Sequence, residues 1–226
     1  TADWLNAYAR GLNVMAQSCG VALVGGDTTR GPLSLTMTVL GRVPVGKALT
    51  RSGAQPGDLL CVGGELGNAA GALPLVLGQR TADAAIGDPL LRHYWSPQPQ
   101  LGLGMALRGK ATSALDISDG LLADCGHIAL ASQVGIQIEQ GRLPLSNALV
   151  AFLGQSGAEA AALSGGDDYV LAFTLPPGEL PALLADGWPI QVVGRVVTGQ
   201  GVVLLDASGQ DITPQTRGYQ HFRETP

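Results

Sequence analysis

The sequence predicts an α+β protein with a mixed sheet, organised as two units of which the first is incomplete. Three observations carry this. Apolar residues recur at helical spacing in some stretches, and as bounded runs or strict alternation in others, so both periods are present. Gly (33) and Pro (14) make up about a fifth of the 226 residues, against roughly 12% in average usage, which marks a chain rich in turns. The first elements, one helix and two strands, are too few to close a core of their own.

Each element follows from local pattern. Trp4, Leu5, Tyr8, Leu12, Met15 and Ala16 recur at helical spacing, with Asp3 in the capping position and Gly20 as the stop. A short apolar strand is expected over Val21 to Val24. After the turn Gly25 to Pro32, Leu33, Leu35, Met37 and Val39 alternate with Ser34, Thr36 and Thr38, as in a half-buried strand. The stretch 44–58 has turn composition and reads as a linker, dividing 1–43 from 59–226. In the second unit Leu59 to Val62 reads as a buried strand, followed by a glycine-rich turn and a helix through Leu77. A helix after Pro97 is expected to place Leu101, Met105 and Leu107 on its apolar side. Ser113 to Ile117 is a strand, and Leu121, Leu122, Cys125, Ile128 and Ala129 mark the next helix. Further strands are expected at 136–139, 169–174, 190–196 and 202–205, ending in a hairpin around Asp206 to Gly209.

Composition narrows the function classes. With 46% hydrophobic and only 14% charged residues the chain is globular, not disordered. A net charge of −5, from 13 basic and 18 acidic residues, argues against a grip on nucleic-acid phosphates, and 4% aromatics against a base-stacking surface. No apolar run approaches the roughly 20 residues that span a bilayer, and the start, Thr1-Ala2-Asp3-Trp4, does not have the form of a signal peptide. Cys19, Cys61 and Cys125 form no Cys-x-x-Cys pair, so they read as small buried hydrophobes in a reducing cytoplasm.

Three acidic, glycine-flanked turns could carry chemistry: Gly26-Asp27-Thr28-Thr29, Asp116-Ile117-Ser118-Asp119-Gly120, and Ser164-Gly165-Gly166-Asp167-Asp168-Tyr169. Each falls at a strand end. Carboxylates there, with water and phosphate oxygens, are the usual ligands of Mg²⁺, and the backbone amides of such turns hold phosphate. Each turn also has a structural explanation: Asp27 closing an Asx-turn, or Ser118 or Asp119 capping the helix that begins near Gly120. Five of the 18 acidic residues in these turns is more than solubility asks for. Arg30 and Arg51 are candidate phosphate partners, and Gly63-Gly64-Glu65-Leu66-Gly67 could cradle an anion at a helix N-terminus. His93, His127 and His221 lack metal-ligand spacing, and His127 reads as a packed core histidine. Neither a P-loop nor the protein-kinase motifs are present.

Taken together, Val24 to Gly31, Ala48 to Gly53, Leu115 to Leu121, Leu163 to Tyr169 and Arg217 to Phe222 resemble the thiamine-monophosphate kinase family, in family order along the whole chain. The resemblance implies a two-domain α/β fold shared with aminoimidazole ribonucleotide synthetase. It implies transfer of the ATP γ-phosphoryl group to thiamine monophosphate, assisted by Mg²⁺, in a cytoplasmic homodimer. By match to the family motifs, Asp27, Asp116 and Asp119 would be the catalytic, metal-holding carboxylates. Gly26, Asp27, Arg51 and Ser118 would contact ATP, while Asp167 and Tyr219 would face the thiamine substrate. Residues 1–43 would then be the C-terminal remnant of an ATP- and metal-binding domain, because the family's N-terminal acidic segment does not precede Thr1. Where the family usually has Glu and then Asp-Tyr-Glu, this chain has Asp167, Asp168, Tyr169 and Val170, which shortens the substrate-facing carboxylate by one methylene. Another ATP-using synthetase of the same superfamily, or a non-catalytic nucleotide-binding fragment, are the alternatives.

Overall fold

The run Leu59–Val62 is apolar at every position, and the computed structural model, which describes residues 1–215 and 218, shows why. This strand, β1, lies inside a sheet with β2 (Ser113–Asp116), β3 (Gly135–Glu139), β4 (Leu171–Leu175), β5 (Gln191–Val197) and β6 (Gly201–Leu205). The strand order is β2-β4-β1-β5-β3-β6. β3 and β6 are parallel and the other pairs antiparallel, so the sheet is mixed, as expected. Both faces are covered. Leu60 and Val62 enter one core with Leu115, Ala172 and α5 (Leu121–Ser132), while Cys61 enters another with Ala114, Phe173, Leu175 and α4 (Leu101–Leu107). A strand buried on two sides needs apolar residues at both parities. A third cluster joins α2 (Asn68–Val76), α3 (Ala84–Trp95) and α6 (Asn147–Ser164, interrupted at Gly154) through Ala72, Leu90, Leu149 and Phe152. The short α7 (Leu180–Ala185) adds Leu183 to the second core.

The chain divides into two units, Thr1–Pro44 and Val45–Pro226. In the first, α1 (Ala2–Ser18) is capped by Thr1, whose hydroxyl accepts from Trp4 N at 3.3 Å; Asp3 falls inside the first turn and is not the cap. It stops at Gly20 as expected, with Gly20 N donating to Gln17 O and Val21 N to Ala16 O in a Schellman pair. The strands expected at 21–24 and 33–39 do not form. A strand exists only with a ladder partner, and neither stretch has one among the described residues. Leu33, Leu35, Met37 and Val39 keep the alternating pattern yet are exposed.

In the second unit, residues 49–58 of the segment expected to be a linker lie against the sheet and its helices. Leu49 packs on the Phe173 cluster, Ala54 enters the large core, and Ala114 N donates to Thr50 O at 2.8 Å. Asp58 Oδ2 accepts from Gln55 N at 2.9 Å and Thr112 Oγ1 at 2.6 Å. In α4 the buried residues are Leu103 and Leu107, while Leu101 and Met105 are exposed. Both pairs are spaced i, i+4, so in seven residues spacing cannot choose the face; contact with the Phe173 cluster does. The helix α3 has no counterpart among the elements expected from the pattern. No helix among the described residues is long and apolar enough to cross a membrane.

Candidate active site

Two of the three acidic turns meet because their strands are neighbours. β2 pairs with β4, placing Asp116 opposite Leu171. Past the ladder the two chains stay joined: Ile117 N donates to Val170 O (2.9 Å), Tyr169 N to Ile117 O (2.8 Å) and Asp167 N to Ser118 O (3.0 Å). Close backbone contact requires glycine at two points. A Cβ on Gly166 would collide with the Ser118 carbonyl oxygen, and one on Gly120, which has φ +112, would stand 2.9 Å from Ser164 Cα. Asp116 and Asp167 are exposed, and Ser118 and Asp119 half-buried.

The 118–119 turn is held from inside the following helix. The Asp124 carboxylate, 3% exposed, accepts from Ser118 N at 2.9 Å and Asp119 N at 3.0 Å through Oδ2. Neither Ser118 nor Asp119 caps α5; its N-cap, Gly120, has no side chain to do so. Burial pushes the Asp124 carboxyl up, and the nearby Asp119 charge adds to that, while the two backbone donors and His127 oppose it. His127 itself is exposed, not a core residue as its apolar neighbours suggested: Ile128 and Ala129 turn inward and position 127 outward.

The partner loop is held by Asp168. This buried carboxylate accepts from Gly67 N at 2.7 Å at the start of α2, with a further backbone bond from Ala69. The glycine-rich turn 63–67, expected to cradle an anion, instead receives the Asp168 carboxyl of its own chain. Burial, opposed by those donors, pushes the Asp168 carboxyl up to about 7, and its Oδ1 is buried with no hydrogen-bond partner among the described residues. On either side of it, Asp167 (φ +67) and Tyr169 (φ +52) adopt left-handed backbone, each at a cost of about 1–3 kcal/mol. This is why β4 begins at Leu171, not at 169. The Tyr169 hydroxyl donates to Asp167 Oδ1 at 2.8 Å. That bond raises the phenol pKa most, with smaller contributions from burial and from the charges of Asp167, Asp116 and Asp119. The phenol thus bonds one carboxylate and feels the charge of two more on the surface formed by the two turns.

Arg51 is exposed, its carbonyl accepting from Ser132 Oγ at 3.2 Å beside the end of α5. Gly26, Asp27 and Arg30 lie in the first unit and are exposed there. Tyr219 lies outside the described residues, as does His221. Among the described residues no group of three or more His, Cys, Asp or Glu side chains is placed to hold a metal ion. Mg²⁺ takes most ligands from water and phosphate and needs only one or two carboxylates. Asp116 and Asp119 fit that role: both are accessible hard donors, whereas Asp124 and Asp168 are committed to backbone N–H groups.

Asp124 and Asp168 are the site residues that sequence reasoning missed. Asp168 stood in a flagged turn without a role, and Asp124 sits four residues past Gly120, within reach of the turn it holds.

Residues 55–206 match the family AIR synthase related protein, C-terminal domain. The thiamine-monophosphate kinase of Escherichia coli (strain K12) is 40% identical over 224 residues, which span 97% of this chain and 69% of that protein. The crystal structure of thiamine-monophosphate kinase from Stenotrophomonas maltophilia K279a superposes with a TM-score of 0.85 at 42% identity, covering 90% of this chain and 67% of that one. AaThiL complexed with AMPPCP and TMP superposes at 0.67 with 32% identity, covering 77% and 54%. With its mixed sheet and its ordered acidic turns, the chain belongs to the thiamine-monophosphate kinase family, whose members are kinases.

Proposed function

We propose that the protein transfers the γ-phosphoryl group of ATP to thiamine monophosphate, yielding thiamine diphosphate and ADP. The observation that carries this is the joining of the Asp116–Gly120 and Ser164–Tyr169 turns, far apart in sequence, into one carboxylate-rich surface. It is supported by a relative that forms a complex with AMPPCP, an ATP analogue, and TMP.

The chemistry asks the protein for positioning and charge stabilisation and for little covalent help. Two phosphate groups must approach each other, and this chain, at −5, repels both. Asp27, Asp116 and Asp119 would hold Mg²⁺, which when bound supplies the neutralising charge between donor and acceptor. Arg51 offers a guanidinium able to bind phosphate oxygens in bidentate fashion. Gly26, Asp27 and Ser118 complete the ATP contacts, and Asp167 with Tyr219 faces thiamine monophosphate. In this reading 1–43 belongs to the ATP- and metal-binding domain, 44–58 joins it to the second domain, and the protein is a cytoplasmic homodimer.

The test is coupled ADP release with thiamine monophosphate as acceptor in the presence of Mg²⁺. Acceptor-dependent turnover is expected, and its absence overturns the proposal. Turnover only with a different acceptor would assign a sister synthetase, and calorimetric MgATP binding without any turnover a nucleotide-binding fragment.

A further inference from the structure

Tyr169 is a bulky aromatic residue in left-handed backbone (φ +52), a conformation such side chains avoid. Core packing does not explain it, because the residue is 42% exposed. Two buried attachments on the same short segment hold it there: the Asp168 carboxylate on Gly67 N and the Tyr169 N–H on Ile117 O. Strain of this kind persists only where the surroundings over-determine it. What the conformation achieves is the 2.8 Å bond from the Tyr169 hydroxyl to Oδ1 of Asp167, a residue that is itself left-handed.

We propose that Tyr169 is a positioning residue for the acceptor: by donating to Asp167 Oδ1 it fixes the carboxylate so that Oδ2 meets an N–H donor or the cationic ring of the thiamine moiety. This rests on the function proposed above. A free aspartate on an exposed turn samples several rotamers, and each binding event would have to select one. The phenol makes that selection in advance.

The test is a double-mutant cycle with Tyr169→Phe, Asp167→Ala and the two combined, alanine removing the acceptor of the phenol bond altogether. KM for each substrate, kcat and the calorimetric Kd for thiamine monophosphate are measured, with melting curves alongside. Tyr169→Phe removes one hydroxyl from an exposed ring, so melting like the parent is expected. It should raise KM and Kd for thiamine monophosphate about tenfold, the worth of one oriented hydrogen bond, and leave KM for ATP unchanged. In the Asp167→Ala background the same change should have no further effect. Unchanged acceptor affinity in Tyr169→Phe, or an undiminished effect in the Asp167→Ala background, overturns the positioning role. Absence of acceptor-dependent turnover in the parent protein instead overturns the function, while the Kd comparison still decides the role of Tyr169.

Discussion

Asp124 offers the sharpest test of how the acidic surface is held together. Its Oδ2 is shared by Ser118 N and Asp119 N, and the residue is 3% exposed. Asp124→Ala leaves two N–H groups without their charged acceptor. Each such bond contributes about 1.5–3 kcal/mol. Burial of the carboxylate, which pushes its pKa up, offsets part of that sum. A net loss of about 3 kcal/mol follows, and for a domain of this size it should lower the urea midpoint by about 1 M. Asp124→Asn keeps an acceptor oxygen without the charge and should lose only about 1 kcal/mol. Because the turn carries Ser118 and Asp119, kcat/KM with ATP and thiamine monophosphate should fall at least tenfold in Asp124→Ala and recover in large part in Asp124→Asn. Equilibrium urea unfolding and steady-state kinetics on the same preparations measure both. An alanine variant with stability within about 0.5 kcal/mol of the parent and unchanged kcat/KM would refute the reasoning.

Other expectations can be checked alongside. Under the proposed function, in which the half-buried Asp119 carboxylate would hold Mg²⁺, Asp119→Asn should lower kcat by roughly 100-fold with a melting temperature close to the parent's; a stability loss without a kinetic effect would make it a structural residue. Gly166→Ala drives a methyl into the Ser118 carbonyl and should destabilise by about 2 kcal/mol or more in a denaturant melt, and parent-like stability would show that the two turns can separate freely. Asp168 binds its proton up to about pH 7 in the folded protein, against 3.8 as its ordinary value. The stability this provides is fully present below about pH 4 and is lost as pH rises through 7, by up to about 4 kcal/mol. Relative to Asp168→Asn, the parent should therefore become less stable between pH 4 and 7, and parallel profiles would contradict the assignment.

Much of this protein is legible in local chemistry alone. The run at 59–62 marks a strand covered on both faces, Leu121 to Ala129 a helix with one buried stripe, and Gly20 a helix end. The Asp-x-Ser-Asp-Gly and Gly-Gly-Asp-Asp-Tyr strings mark two turns that carry carboxylates, and their glycines mark where backbone passes close to backbone. In each case the signal lies within a few residues of what it determines. Tertiary contact decided the rest. The alternation at 33–39 describes a face fit for burial, but a strand also needs a ladder partner, and pattern does not supply one. The buried side of α4 was chosen by Phe173, some 70 residues away in the chain. Asp168 became an anchor because Gly67 N stands 2.7 Å from it across 101 residues, and left-handed backbone at Asp167 and Tyr169 followed from bonds to that loop and to Ile117. Period, capping and turn composition are free energies of neighbours along the chain, so sequence alone determines them; which carboxylate is buried, which is bonded and which faces solvent depends on groups brought together only when the sheet closes.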